Sequence, residues 1–425
     1  MGGRPVQIVV NRNGSFELDE KVLENILLQD HIKDKNVVVV SVAGAFGRGK
    51  SFLLNFLLRY LEAKGRQDWM GNEDEPLQGF SWEVGSERHT TGILIWSEVF
   101  VVDLPNREQV AVILMDTQGA FSKESSMQEC TIVFALSTLL SSVQIYNLMN
   151  NIQENHLQYL ELFADYGKKM VEDSNEKPFQ KLQFLVRDWS YPYEADYGDE
   201  GGEIILNRMF EESGDPTSAP NLLRKHLKSC FLDMCCFLMP HPGTTVTTNP
   251  EFDGKLSDIG TDFKKQLQKL VPMMLAPENL VVKEIGGQRV TAKELLQYFK
   301  SYLEIYKGDE LPEPKSILVA TAEVHNLTAV AEATETYTML MEGVCGGAKP
   351  HLSRAKLKAE HRKCKNAALI EFQNKPKIGG MILAEPYKKK LEEELERLYE
   401  HYKENNESKS IFKAVRSLFY SLKQL

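Results

Sequence analysis

Residues 37–58 read VVVVSVAGAFGRGKSFLLNFLL, and this stretch constrains the fold more than any other. The run Val37–Ala43 is short and β-branched, as expected of a strand buried on both faces of a parallel sheet. The loop Gly44-Ala45-Phe46-Gly47-Arg48-Gly49 follows, then Lys50-Ser51, and Phe52–Ala63 is apolar at helical spacing. The pattern G-x-x-x-x-G-K-[ST] therefore lies between a predicted strand and a predicted helix, the context that makes it a phosphate-binding loop. An α/β domain with a mostly parallel sheet flanked by helices is the expected architecture.

These residue types suit the grip of an anion. Glycines let the backbone curl so that several N–H groups face one phosphate, and the positive end of the helix dipole adds to the field. Lys50 places a point charge near the outer phosphates. The Ser51 hydroxyl is suited to ligating Mg²⁺. The alternative is a chance match in a glycine-containing turn, and the flanking strand and helix argue against it.

The chain has 425 residues, too many for one small core, so two or three domains are expected. Its 42% hydrophobic and 26% charged residues are those of a soluble globular protein. A formal net charge of -10 argues against nucleic acid as a partner, because phosphate neutralisation needs a basic surface. The six cysteines show no metal-ligand spacing and are expected to be reduced. SCFLDMCCFLMP, around Cys235 and Cys236, reads as a buried strand. The N-terminal segment lacks an apolar signal core. The longest apolar span, Cys130–Met149, is interrupted by Ser137, Thr138, Ser141, Ser142 and Gln144, and reads as a buried helix and strand rather than a membrane span.

Two later strand ends carry further chemistry. Val110–Met115 is a buried run ending in Asp116-Thr117-Gln118-Gly119. An aspartate at the carboxyl end of a strand beside the phosphate-loop strand is where Mg²⁺ is held. A glycine three residues on can give its N–H to a γ-phosphate and release it after hydrolysis. Ahead of these lie Thr90 and Thr91, either of which is a candidate metal ligand, although paired threonines are more often plain loop residues. KLQFLVRDWSYPYE ends a further strand in Arg187-Asp188. Guanine offers N1–H and a 2-amino group on one edge, which a carboxylate accepts, so Asp188 is a candidate base reader. The tetrapeptide N-K-x-D is absent, and by spacing alone Arg187-Asp188 is equally compatible with a structural ion pair.

With these residues in place the chain resembles the atlastin GTPases, dynamin-related proteins akin to guanylate-binding proteins. The matching segments are SVAGAFGRGKSFLLNFLLRY, GSERHTTGILIWSE, LMDTQGAF, FALSTLLSSVQIYNL, FLVRDWSYPYE, CFLMPHPGTTVTTNPEFDG and ELPEPKSILVATAE, in family order across nearly the whole chain. The resemblance implies a GTPase domain followed by an all-α three-helix bundle. It implies guanine read by Arg187-Asp188 and capped by the TTVTTN loop through Val246 and Asn249. It further implies GTP-driven dimerisation of G domains, a swing of the bundle, and tethering and fusion of endoplasmic reticulum membranes from their cytosolic face. A homodimer, or a heterodimer with a full-length atlastin, is the expected partnership.

Two departures from the family stand out. The family carries an arginine at the fourth loop position, which turns onto the phosphates when two G domains meet; here that position is Gly47, and an arginine follows at Arg48. Arginine fingers are worth about three to five decades in rate, so either Arg48 compensates or turnover is weak. The family also continues into a transmembrane hairpin. The closing SIFKAVRSLFYSLKQL is too short and too charged to span a bilayer as a helix pair. It is read as the tail of a divergent member lacking the hairpin, cytoplasmic if this ending is natural.

The expected organisation is a GTPase domain over 1–306, a proline-stiffened linker over 307–315, a bundle over 316–409 and a short amphipathic tail over 410–425. In the third bundle helix the apolar stripe is Tyr387, Leu391, Leu395, Leu398 and Tyr402. The tail suits an anionic membrane surface or a return onto the bundle.

The expected chemistry is GTP hydrolysis with Mg²⁺. Lys50 binds the β- and γ-phosphates, Ser51 and Thr90 ligate the metal, Asp116 holds it through water, and Gly119 senses the γ-phosphate. Gly44, Gly47, Gly49, Phe52 and Gln118 complete the nucleotide contacts. No side chain is placed as a general base, and the loop backbone and Arg48 carry the transition-state charge. His89 is read as a loop residue. The runner-up is a GTP-binding regulatory paralogue with little turnover, because Gly47 replaces the arginine. An ATP-using kinase is a distant third.

Overall fold

The computed structural model describes residues 2–12, 15–45, 47–81, 92–118, 127–161, 177–211, 214–215, 217–306, 313–347 and 349–422, without the side chains of residues 118, 127–128, 314 and 410–422. It divides into two units, Met1–Ala320 and Thr321–Leu425.

The first unit is built on a nine-stranded mixed sheet. Its centre is β3 (Asn36–Gly44), hydrogen-bonded in parallel to β6 (Gln109–Gln118) on one side and β7 (Val143–Met149) on the other. β8 (Phe179–Arg187) and β9 (Phe231–Leu238) extend the parallel block beyond β7. Val37 to Ala43 are all buried, because both faces of the central strand are covered; this explains an unbroken apolar run where a one-sided strand would alternate. Beyond β6 the sheet turns antiparallel through β4 (Gly92–Trp96), β5 (Phe100–Asp103), β1 (Pro5–Arg12) and β2 (Ser15–Leu18).

Among the helices described here, α1 (Glu20–Leu27) is capped by the Asp19 carboxylate, which accepts from the Val22 amide. α2 (Lys50–Glu62) follows the glycine-rich loop and packs on α8 (Thr261–Leu275), with Phe52 tilted against Phe263 at a centroid distance of 6.3 Å. Covered in this way, α2 is buried nearly all round, not along one stripe. The span 130–149 divides as expected, into α3 (Met127–Leu140) and β7. Shorter helices are α4 (Glu154–Gln158), α5 (Asp199–Phe210), α6 (Ala219–Cys230) and α7 (Thr244–Thr248); α9 (Ala292–Ile305) opens on a Thr291–Glu294 capping box. None of the six cysteines is in a disulfide.

The remaining helices are α10 (Pro314–Cys345), α11 (Arg354–Asn374) and α12 (Gly380–Leu422). Pro314 opens α10, at a position where a missing N–H costs nothing. In the second unit Tyr337, Met341, Cys364, Phe372, Leu391, Leu395 and Tyr402 form the core, with Tyr387 and Leu398 packed against it. The expected stripe of the third helix is thus its inward face. α12 continues as one helix through Leu422, where the sequence suggested a separate tail from 410. Among the described residues no helix is long and apolar enough to cross a membrane.

Candidate functional site

The carboxyl ends of β3, β6, β7 and β8 gather the residues singled out from sequence. β6 and β7 lie on opposite sides of β3, so the chain reverses its order in the sheet at this edge, where open parallel sheets form their binding crevice. The loop after β3 depends on its glycines. A side chain at Gly44 would start 2.2 Å from the carbonyl oxygen of Asn147. Gly49 caps α2 in the left-handed region at φ 74°, and a Cβ there would lie 3.1 Å from the Arg187 guanidinium. The first turn of α2 therefore opens without a side-chain cap, which leaves its main-chain amides to an outside anion.

Lys50 is buried, and its ammonium donates to the main-chain oxygen of Ala45 at 3.0 Å. Burial pushes its pKa down, and the neighbouring Asp116 carboxylate works the other way. The Ser51 hydroxyl donates to Asp116 Oδ2 at 2.6 Å. Asp116 itself is fully buried. Next to it Thr117 donates to the Val42 oxygen at 2.8 Å, fastening the end of β6 to β3. A hydroxyl and a carboxylate held together are hard oxygen donors and fit Mg²⁺ in kind.

Arg187 and Asp188 are adjacent, yet the structure sends them to different places. The Arg187 guanidinium is buried, donates through Nη1 to the Gly49 oxygen at 3.3 Å, and lies 5.2 Å from the centre of the Phe263 ring. Burial pulls its pKa down to about 10, against the opposing pull of Asp188. Asp188 is half-buried in the left-handed region at φ 57°, a conformation that aspartate tolerates better than most residues. Its position is held from both sides. The Trp189 amide donates to the Met239 oxygen at 2.9 Å, and the Ser190 hydroxyl donates to the Asp188 oxygen at 3.0 Å.

The remaining residues are distributed unevenly. The Phe52 side chain belongs to the core, edge-on to Phe56 and tilted against Phe252 at 6.0 Å, so a nucleotide contact there falls to its main chain. That Phe52–Phe252 contact ties the segment after α7 to the start of α2. Val246 lies in α7 and packs on the same core, whereas Asn249 Oδ1 accepts from the Glu251 amide within its own turn. Gly47 and Arg48 are exposed. Gln118 ends β6, its main chain paired opposite Gly92. Thr90, Thr91, His89 and Gly119 lie outside the described residues. Two further residues, not singled out from sequence, belong to this site: Phe263, whose ring lies against Arg187, and Asn147, whose Nδ2 donates to the Arg48 oxygen of the loop at 3.0 Å. A polar residue inside the buried run QIYNL was the available signal for the second.

Comparison with known proteins gives two family matches. Residues 13–284 match the guanylate-binding protein N-terminal domain and residues 286–424 the guanylate-binding protein C-terminal domain. Among full-length relatives, the chain is 56% identical over 422 residues to atlastin of Drosophila melanogaster, covering 98% of this chain and 78% of the relative. It is 53% identical over 415 residues to human atlastin-2, covering 97% and 71%. To human atlastin-3 it is 52% identical over 418 residues, covering 97% and 77%.

Proposed function

The chain belongs to the atlastin family of GTPases, and on that footing we propose that it binds GTP with Mg²⁺, dimerises through its G domain and shapes or fuses endoplasmic reticulum membranes. The observation that carries this reading is the Ser51–Asp116 pair at the mouth of β3 and β6, with Lys50 tethered behind the loop. In this reading Lys50 and the amides from Gly44 to Phe52 hold the phosphates. Ser51, Thr90 and Asp116 hold Mg²⁺, which neutralises phosphate charge when bound. Gly119 senses the γ-phosphate beside Gln118. Asp188 reads guanine with Arg187 beside it, and Val246 and Asn249 cap the base. Arg48 supplies positive charge to the transition state. The membrane is met from the cytosolic side, with a second copy or a full-length atlastin as partner.

A second reading is favoured by one feature. Gly47 occupies the position of the family's arginine at φ 66°, with no atom of the described residues within 4 Å of where a side chain would begin. The position is open at the Cβ among the described residues yet carries no side chain, as expected of a GTP-binding regulatory protein with weak turnover. One experiment tests both. Size-exclusion chromatography with light scattering is run in GDP, GTP and a transition-state mimic, alongside a GTP turnover assay. Dimers with the mimic and measurable turnover support the first reading. Nucleotide binding with negligible turnover supports the second, and a chain that is monomeric in every state removes the dimer.

A further inference from the structure

β7 ends against the phosphate-binding loop, and its Asn147 meets that loop twice. In the parallel ladder Gly44 is the register partner of Asn147, and the Asn147 carbonyl occupies the space a side chain on Gly44 would need. Further along the loop, Asn147 Nδ2 donates to the main-chain oxygen of Arg48 at 3.0 Å. Asn147 is 1% exposed, so water does not compete for this bond. Its neighbours Tyr146 and Leu148 are buried, and among the described residues the Nδ2 of Asn147 has the Arg48 oxygen as acceptor while its Oδ1 has no hydrogen-bond partner.

A peptide unit is planar, and its C=O and N–H point in opposite directions. Holding the Arg48 oxygen toward β7 therefore turns the Gly49 amide away from β7. One residue on, the Gly49 oxygen accepts the first helical bond of α2 from the Leu53 amide at 3.1 Å, and the Arg187 guanidinium adds a second bond to it at 3.3 Å. The backs of two successive peptide units are thus held by side chains from the ends of two neighbouring strands. We propose that Asn147 is a positioning residue for phosphate binding: it touches no nucleotide, and acts by fixing the Arg48–Gly49 peptide so that the Gly49 amide faces the phosphates. This rests on the loop being the GTP site.

The test exploits the chemistry of one substitution. Asn147→Asp keeps the shape and, when ionised, has no donor for the Arg48 oxygen; when protonated it regains one. Labelled GDP with Mg²⁺ is titrated into the full chain and into the Asn147→Asp and Asn147→Ala variants, and thermal melting without nucleotide confirms folding. At about pH 8 both variants are expected to bind GDP roughly five- to tenfold more weakly than the parent chain, the scale of one lost hydrogen bond. At about pH 5.5 the Asp variant is expected to recover to within about threefold as its buried carboxyl takes up a proton, while the Ala variant does not recover. Melting at both pH values separates this from the plain cost of a buried carboxylate, which would lower the melting temperature of the Asp variant at about pH 8 and restore it at about pH 5.5. Affinity within about twofold of the parent at high pH, or no difference in recovery between the variants, overturns the proposal. If the Asp variant fails to fold, the Ala variant decides by the same twofold criterion. A parent chain that binds no GDP takes the nucleotide reading down as well, whereas normal parent binding with unaffected variants removes only the role of Asn147.

Discussion

The Ser51 hydroxyl donates to Asp116 across 2.6 Å and so joins the first turn of α2 to the end of β6, two elements 65 residues apart in the chain. The pair brings together the two oxygen donors best suited to a divalent cation. Ser51→Ala removes one of them. GTP affinity with Mg²⁺ is expected to fall at least about tenfold, and in chelator the variant and parent should agree within about threefold. A titration of labelled GTP in both buffers decides; equal losses with and without Mg²⁺ would separate Ser51 from the metal.

Asp188 offers a clean exchange, because asparagine also tolerates its left-handed backbone at φ 57° and the turn should survive. A carboxylate accepts two hydrogen bonds from guanine, whereas an asparagine amide must present one donor. Asp188→Asn is expected to weaken GTP by at least about tenfold and to raise affinity for xanthosine triphosphate, whose edge carries an acceptor there. Unchanged preference between the two nucleotides would return Arg187-Asp188 to a structural role.

Arg48 has its main chain held by Asn147 while the residue stays exposed. If its side chain stabilises the transition state, Arg48→Ala should slow GTP turnover at least about a hundredfold and leave GDP affinity nearly unchanged. Turnover that ignores the substitution favours the weak-turnover reading. Gly47→Arg is the partner experiment. Its φ of 66° carries a strain of about 1–2 kcal/mol for any residue with a Cβ, so the variant should melt lower even if turnover rises.

Lys283 lies beside the start of β3, its amide donating to the Val37 oxygen at 2.8 Å; it is 1% exposed, and its ammonium donates to the Ser141 oxygen at 2.9 Å. Burial pushes its pKa down to about 7 from the usual 10.5. Between those two values the unfolded chain binds the extra proton and the folded chain does not, so stability contributed by this group rises with pH across the window and is lowest below it. The gain is at most about 1.4 kcal/mol per pH unit. Melting from neutral to alkaline pH should show this slope in the parent chain and a shallower one in Lys283→Met; parallel curves would show that Lys283 is not neutral in the fold.

The strand–loop–helix arrangement around Gly44–Ser51 was legible because its signals are local. A β-branched run, spaced glycines and an apolar helix each act through neighbours within a few residues, and the structure sets β3, loop and α2 end to end as expected. The division of residues 130–149 into helix and strand followed from interrupting polar residues in the same way. The TTVTT segment was read as a loop and is the short helix α7; threonines give little helical signal, and the segment takes its place by packing Val246 on the core. The continuation of α12 past residue 410 was equally hidden, because no glycine or proline marks a boundary there and periodicity alone does not say where a helix ends.

Taken alone, the sequence determined a glycine-rich strand–loop–helix junction with Lys50 and Ser51 at its helix end, and it offered Asp188 at a further strand end as a candidate base reader. It did not determine what stands behind that junction. Asn147 and Arg187 reach the loop from 99 and 138 residues away along the chain, and the aim of each side chain is set by the order of strands in the sheet. Only the folded sheet puts β7 next to β3 and β8 beyond it. The physical reason is that a glycine loop free enough to wrap an anion carries too little of its own structure to hold that shape, and the groups that hold it come from distant strands.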